Sequence, residues 1–217
     1  MRINADRFRL PKQGNFVAFE GINGCGKTTL LRALSQRLEQ ASAAVLETRE
    51  PGGTPLGEEL RKLLLEWSGE KKSDRTELLL FAASRAEHVD KVIVPALARG
   101  SWVLCDRYLY STVTFQGHGR GIRRDWIDQA NALAVQTTLP DLVVLLDLEP
   151  HEALRRIASR QDNGKDSFED EELAFHERIR HGFLECADTS QVPFLVLDGM
   201  LPPAELQRIT FSVFGLA

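Results

Sequence analysis

The chain has 217 residues, of which 43% are apolar, and its formal net charge at pH 7 is −4. This length and apolar content predict one globular domain with a substantial core. The weakly acidic charge argues against general nucleic-acid binding, and no apolar run is long enough to predict a membrane span.

Residues 1–14 lack the apolar core of a secretory signal and are predicted to form a loose extension before a single domain at 15–217. The three cysteines are Cys25, Cys105 and Cys186, and their spacing is not that of metal ligands. Free thiols without a secretory signal predict a cytoplasmic protein. Cys25 is interpreted either as a reactive thiol or as a small space-filling residue.

The segment EGINGCGKTT, at residues 20–29, lies between an apolar strand at 16–19 and an amphipathic helical pattern. It contains the pattern G-x-x-x-x-G-K-[ST] in its strand–loop–helix setting. Glycines let backbone N–H groups point at phosphate oxygens, and the helix N-terminus adds partial positive charge. Lys27 can reach the β- and γ-phosphates, and Thr28 can offer its hydroxyl to magnesium. The predicted triphosphate-binding residues are Gly21, Ile22, Asn23, Gly24, Cys25, Gly26, Lys27, Thr28 and Thr29.

Short apolar strands alternate with helical patterns along the rest of the chain. The strands are predicted at 16–19, 44–48, 103–105, 142–146 and 194–197. The helices are predicted at 27–40, 56–67, 75–99, 125–137, 150–160, 170–187 and 202–214, with Asp74 and Glu77 as a capping box for the third. Apolar strands without polar alternation are typical of a parallel sheet buried on both faces. The pattern predicts a three-layer, doubly wound α/β fold of about five parallel strands, of the P-loop nucleoside triphosphate hydrolase type, with ligands at the carboxyl ends of the strands.

Polar segments follow several of these strands. REPGGTP, at 49–55, follows the second strand, and RQDNGKDS, at 160–167, is interpreted either as a mobile lid over the triphosphate or as a plain surface loop. The third strand ends at Asp106 and Arg107. A carboxylate there can hold magnesium, and an arginine can bind a phosphate through two N–H groups, although a surface ion pair is the alternative. The downstream basic residues Arg120, Arg123 and Arg124 are interpreted as a solvated face.

Six segments then give the chain a family resemblance: FEGINGCGKTT, TREPGGTPLGEELR, TELLLFAASRAEH, PALARGSWVLCDRY, STVTFQGHGRGI and LPDLVVLLDL. In this order and spacing, over nearly all of residues 15–198, they resemble the bacterial thymidylate kinases, a family of P-loop nucleoside monophosphate kinases. The resemblance implies phosphorylation of dTMP to dTDP by ATP and magnesium, in dTTP biosynthesis, by a homodimer. It also implies an acceptor-binding region at about 49–116 and a lid at about 160–168.

The resemblance assigns roles to individual residues. Phe81 would stack on the thymine ring, where periodicity alone would make it helical core together with Leu78 and Leu79. The remaining acceptor-binding residues would be Glu50, Arg61, Arg85, Arg107, Thr112, Phe115 and Gln116, with Arg107 on the phosphate and Phe115 against the sugar. The catalytic residues would be Lys27, Arg107 and Arg160, and the magnesium ligands would be Thr28 and Asp106.

The chain departs from the family pattern at three positions. Asn23 stands where an acid is common, Phe115 where tyrosine is common, and Ser167 where the lid commonly carries arginine. Arg156, Arg160 or Lys165 would then supply the lid cation.

Two other functions remain open from the sequence. One is a kinase of another deoxynucleotide or of a deoxynucleoside, for which Glu20 is the candidate base for a hydroxyl acceptor. The other is a non-enzymatic nucleotide switch.

Overall fold

The computed structural model describes residues 2–3, 8, 10, 14–159, 168 and 171–216. One sheet of five parallel strands has the order β2-β3-β1-β4-β5, with β1 at Phe16–Glu20, β2 at Val45–Arg49, β3 at Trp102–Asp106, β4 at Leu142–Asp147 and β5 at Phe194–Asp198. The central strand β1 pairs with β3 on one side and β4 on the other. Its carboxyl end is therefore the switch point at which doubly wound sheets bind ligands.

Helices cover both faces of this sheet and bury nearly every side chain of β1, β3 and β4. They are α1 (Lys27–Gln40), α2 (Pro55–Leu65), α3 (Asp74–His88), α4 (Val94–Ala98), α5 (Leu109–Thr112), α6 (Arg124–Val135), α7 (Pro150–Ala158), α8 (Leu173–Thr189) and α9 (Pro203–Val213). The predicted α/β fold with five parallel strands is confirmed, because the unbroken apolar runs did mark strands that are buried on both faces.

The helix predicted at 75–99 is instead divided. Regular α3 ends at His88, a wider π-helical turn spans Val89–Ile93, and α4 follows. Pro95 has no N–H to donate to a carbonyl one turn back, so the regular hydrogen-bond ladder cannot continue through it. A second π-helical turn, Val113–Gly119, directly follows the short helix α5, and neither was predicted.

The predicted capping box at the start of α3 is wrong. The N-cap is Ser73, whose hydroxyl accepts a hydrogen bond from the backbone N–H of Thr76 at 3.3 Å. Asp74 is the first helical residue rather than the cap, and Glu77 is buried. A serine in extended conformation just before the helix provides the oxygen that a cap requires.

Described residues of the N-terminal segment contact the domain. Ile3 donates its N–H to the carbonyl of Phe194 in β5 at 2.9 Å, and Leu10 is buried with its N–H 3.2 Å from the carbonyl of Val213. In the ranges that the structure describes, no helix has the length and apolar character needed to cross a bilayer.

Candidate functional site

The loop between β1 and α1 depends on glycines. Gly21, Gly24 and Gly26 have φ angles of 138°, 81° and 101°, which other residues rarely adopt. A β-carbon at Gly21 would also lie 2.5 Å from the carbonyl oxygen of Leu146 in β4. Because Gly26 is the N-cap of α1, the N–H groups in the first turn of that helix lie next to the loop and can receive an anion.

Lys27 is buried inside this loop. Its ammonium donates to the carbonyl oxygens of Gly21 at 3.2 Å and Ile22 at 3.1 Å. Burial, followed by the nearby charge of Arg107, lowers the pKa of Lys27. The sulfur of Cys25 lies 3.7 Å from the ammonium, and Cys25 is itself buried. The loop therefore holds a single primary ammonium at the end of β1.

Two side-chain oxygens that could act as metal ligands lie together beside this ammonium. The hydroxyl of Thr28 donates to Oδ2 of Asp106 at 2.5 Å, which joins the start of α1 to the end of β3. No group of three or more His, Cys, Asp or Glu side chains able to hold a metal occurs among the described residues. Magnesium is usually held by one or two protein oxygens together with substrate phosphates and water, so this pair fits magnesium.

Arg107 points into the same region. Its guanidinium donates to the carbonyl oxygen of Gly21 and the hydroxyl of Ser111, both at 3.0 Å, and also to the side-chain oxygen of Asn23. It lies over the ring of Phe115 at 4.9 Å. Within the described ranges, the partners of Arg107 are oxygens of Gly21, Ser111 and Asn23 and an aromatic ring, and none of them is a carboxylate of a surface ion pair.

A cavity of about 330 Å³ joins the phosphate loop to the segments that follow β2 and β3. It is lined by all eight predicted acceptor-binding residues: Glu50, Arg61, Phe81, Arg85, Arg107, Thr112, Phe115 and Gln116. Six predicted triphosphate-binding residues line the same cavity: Asn23, Gly24, Gly26, Lys27, Thr28 and Thr29. The predicted catalytic Arg160 and the lid positions 160–167 lie outside the described residues.

Arg85 forms one wall of this cavity and is almost completely buried. Nε donates to a carboxylate oxygen of Glu50 at 2.7 Å, Nη1 to Thr112 at 3.0 Å and Asn131 at 2.7 Å, and Nη2 to the Tyr108 carbonyl at 3.1 Å. These bonds use four of the five N–H groups of a guanidinium. Among the described residues, one N–H of Nη2 therefore has no protein acceptor.

A histidine contacts the carboxylate of Glu50, the partner of Arg85 in this wall. Oε1 of Glu50 lies 3.0 Å from Nδ1 of His88, and Nε2 of His88 lies 2.7 Å from the hydroxyl of Thr48. A β-carbon on Gly53 would lie 2.6 Å from the same ring, so the REPGG loop packs closely on it. The Glu50–Arg85 ion pair is thus buried, and both carboxylate oxygens and four of the five guanidinium N–H groups have hydrogen-bond partners. Buried pairs are tolerated when they are hydrogen-bonded in this way.

Phe168 also lines the cavity. Its ring centroid lies 6.2 Å from that of Phe81 and 5.3 Å from that of Phe115, and it stacks on Phe175 of α8 at 6.4 Å. The guanidinium of Arg120 lies 5.2 Å from its centroid. The aromatic surface available to a ligand is therefore larger than the sequence predicted.

The interpretation of the downstream basic residues as a solvated face is wrong for Arg120. Its side chain is only 9% exposed and donates to Glu77 at 3.4 Å and to Glu171. Arg123 and Arg124 do lie at the surface, with 68% and 58% of their side chains exposed. Burial of Arg120 follows from its aromatic neighbours and acidic partners, which are distant in sequence.

Sequence reasoning also missed a second cavity, of about 320 Å³, on the other side of the phosphate loop. Its lining includes Cys25, Thr29, Arg156, Met200, Leu201 and Pro202. These residues come from three separate segments, and no spacing within any one of them marks a site. Cavities that are mostly apolar with a few polar groups are typical of ligand sites.

A phosphate loop at the switch point of a parallel sheet, with an arginine- and aromatic-lined cavity beside it, defines a P-loop nucleotide-binding protein. The family model Thymidylate kinase matches residues 19–209, and the chain belongs to this family. It is 48% identical to the thymidylate kinase of Geobacter sulfurreducens over 190 residues, covering 86% of this chain and 89% of that relative. It is 43% identical to the thymidylate kinase of Geotalea daltonii over 209 residues, covering 93% and 97%. These matches confirm the family resemblance that six sequence segments indicated.

Proposed function

We propose that this protein transfers the γ-phosphoryl group of ATP to dTMP and so produces dTDP for dTTP biosynthesis. The observation that carries the proposal is the single cavity shared by the phosphate loop and the predicted acceptor residues. Lys27 and Arg107 contact the same carbonyl oxygen, that of Gly21. A cation for the donor phosphates and a cation for the acceptor phosphate therefore lie side by side, as in-line phosphoryl transfer requires.

The reaction needs no protein base. A nucleoside monophosphate offers a phosphate oxygen that is largely ionised at neutral pH, so catalysis consists of alignment and charge neutralisation. Glu20, the candidate base for a nucleoside acceptor, is fully buried, and both of its oxygens accept hydrogen bonds from Tyr108 or Ser111. This arrangement favours a phosphate acceptor over a hydroxyl acceptor.

We also propose magnesium as the metal, with Thr28 and Asp106 as the residues that hold it, directly or through water. When bound, magnesium would neutralise charge on the donor phosphates. The short contact between the two side chains places both oxygens at the mouth of the phosphate loop.

The cavity wall formed by Arg85 carries hydrogen-bonding groups that are complementary to the edge of a thymine ring. The remaining N–H of Arg85 can donate to a base carbonyl. Gln116 donates its amide to Glu77 at 2.9 Å, which leaves its carbonyl oxygen to accept the ring N–H. Phe81 lies beside them and would stack on the base, and Phe115 would limit space at the sugar. We propose these roles for the predicted acceptor residues.

We expect dTMP to be the preferred acceptor, dUMP to be poorer and UMP to be very poor. One missing methyl group should cost about 1 kcal/mol or somewhat more in such a pocket. The ribose hydroxyl of UMP would in addition meet Phe115. A coupled assay offering dTMP, dUMP, UMP and thymidine with ATP measures this order. Equal kcat/KM for dTMP and UMP would contradict the assignment of the acceptor pocket, and turnover of thymidine alone would indicate a nucleoside kinase.

We further propose that the protein is a cytoplasmic homodimer formed through α3 and α6. These helices pack on one another and carry exposed apolar side chains, among them Leu79, Trp126 and Leu133, the last 82% exposed. Apolar groups on adjacent helices are typical of an interface between subunits.

Replacing Leu133 with glutamate is therefore expected to shift the protein from dimer to monomer, because a charge would be buried at the interface. Light scattering coupled to size-exclusion chromatography measures the mass. Val94→Glu, which changes an exposed apolar residue on α4, is the matched control and should remain dimeric. A monomeric parent protein, or a dimeric Leu133→Glu variant, would contradict this interface.

A further inference from the structure

Glu20 is the last residue of β1, and its side chain is completely excluded from solvent. Oε1 accepts the backbone N–H groups of Tyr108 at 2.9 Å and Ser111 at 3.1 Å. Oε2 accepts the hydroxyl of Ser111 at 2.6 Å. A buried carboxylate is costly unless it is hydrogen-bonded. Within the described part of the chain, the hydrogen bonds of this carboxylate all come from the segment that begins directly after Arg107.

The hydroxyl of Ser111 connects this carboxylate to Arg107. A serine hydroxyl has one proton, and Ser111 donates it in the hydrogen bond to Glu20. The lone pairs of the same oxygen therefore accept the hydrogen bond from Nη1 of Arg107, which lies 3.0 Å away. Ser111 is four residues after Arg107, and the backbone N–H of the intervening Tyr108 is bonded to the same carboxylate. Arg107 is thus linked to a buried negative charge through a single hydroxyl.

The backbone at Arg107 also needs support. Its φ of 71° is in the left-handed region, which costs a non-glycine residue free energy unless its surroundings impose it. The N–H of Arg107 is bonded to the carbonyl of Phe19 at 2.9 Å, and the next N–H, that of Tyr108, is bonded to Glu20. The end of β1 therefore holds the strained residue on both sides.

We propose that Glu20 is a positioning residue for the acceptor phosphate: its buried carboxylate fixes the Ser111 hydroxyl and the backbone after Arg107, and thereby orients the Arg107 guanidinium in the cavity. The inference rests on the proposed function, in which Arg107 binds the phosphate of dTMP. An arginine that is already oriented loses less conformational freedom when the phosphate binds. Loss of this orientation should therefore lower the affinity for dTMP.

Ser111→Ala and Glu20→Gln test this link. Alanine removes the hydroxyl, whereas glutamine keeps the shape of the side chain but presents an NH₂ group that donates to Ser111. Each change should raise the KM for dTMP about tenfold, the usual effect of losing one hydrogen bond to a charged group, and leave the KM for ATP within about twofold. Because both variants break the same link, the double variant should resemble either single variant rather than show the product of their effects.

The matched control is Thr114→Val. Thr114 is also buried, and its hydroxyl donates to the backbone carbonyl of Ser111 at 3.0 Å instead of bonding to Arg107 or Glu20. This variant loses a buried hydrogen bond in the same segment and should keep the parental KM for dTMP. If Thr114→Val raises that KM as much as Ser111→Ala does, general loosening of the segment explains the effect and the proposal is wrong.

The dependence on pH gives a second readout. Burial raises the pKa of Glu20 to about 6, although Arg107 and Lys27 act in the opposite direction. The other titratable groups that face it are Cys105 of β3, Tyr110 of α5 and Cys186 of α8, whose pKa values burial raises, so they stay neutral. A protonated Glu20, like glutamine, would donate to Ser111. The KM of Glu20→Gln divided by the parental KM should therefore fall towards one between about pH 7.5 and about pH 5.

This ratio cancels the titration of dTMP itself, whose second phosphate pKa is also about 6. A ratio that does not change with pH, or a parental KM in both Ser111→Ala and Glu20→Gln, would overturn the proposal. If the parent protein phosphorylates dTMP and Arg107→Ala raises the KM while these variants do not, the positioning role fails and the proposed function stands. If the parent does not phosphorylate dTMP, the proposed function fails first.

Discussion

Replacing Lys27 with alanine is expected to lower kcat at least about 100-fold, because its ammonium meets charge that grows on the phosphoryl group during transfer. In the structure, Lys27 donates to two carbonyl oxygens of its own loop, at 3.1 and 3.2 Å, and to the sulfur of Cys25 at 3.7 Å, and it forms no ion pair with any residue that the structure describes. The loss should therefore appear in the chemical step and not in stability. Single-turnover and steady-state rates with saturating dTMP and ATP measure it.

Two controls make this result specific. The circular dichroism spectrum of Lys27→Ala should match that of the parent. Lys62→Ala removes an exposed lysine of α2 that pairs with Glu59, and it should keep the parental kcat. Turnover of dTMP by Lys27→Ala at the parental rate would show that the phosphate loop does not act on a transferred phosphate.

Replacing Arg107 with alanine is expected to raise the KM for dTMP roughly ten- to a hundredfold and to lower kcat, with little change in ATP binding. Loss of a charge-assisted hydrogen-bonded pair in a partly closed site costs about 1.5–3 kcal/mol. Arg107→Lys should recover only part of the loss, because an ammonium lacks the planar pair of N–H groups. Steady-state kinetics with varied dTMP at saturating ATP measure both parameters.

Arg123→Ala is the matched control for this prediction. It removes an arginine that is 68% exposed and pairs with Asp125, so the effect on dTMP kinetics should be negligible. If Arg107→Ala keeps the parental KM and kcat for dTMP, Arg107 does not bind the acceptor phosphate. The partial activity of Arg107→Lys separates the loss of hydrogen-bond geometry from the loss of charge.

The sheet could be predicted from sequence because each strand is a short apolar run, and a sheet covered on both faces requires such runs. The phosphate loop could be predicted because its glycines, lysine and threonine are consecutive. Helix ends were less predictable, since they depend on single capping groups such as Ser73 and on the effect of Pro95 on the hydrogen-bond ladder. The predicted helix ends come from hydrophobic periodicity, which contains no information about capping groups or about the effect of a proline.

The supporting side chains of the site could not be predicted, because their partners are distant in sequence. Arg120 is buried by Phe168 and Phe175 of a later segment, although its own neighbours in sequence are basic and glycine-rich. Ser111 is 91 residues from Glu20, to which it donates. The contact between Ser111 and Glu20 exists only once the sheet order has brought the ends of β1 and β3 together.

The buried Glu50–Arg85 pair constrains how the acceptor pocket can change during evolution. Removing one member of a buried ion pair costs about 3–5 kcal/mol, a large share of the total stability of about 5–15 kcal/mol that is typical of a domain. Changes at this wall must therefore occur in concert, with both charges and the supporting His88 replaced together. An inhibitor anchored on these side chains would leave few single substitutions that confer resistance, whereas one anchored on the exposed Arg49 would leave many.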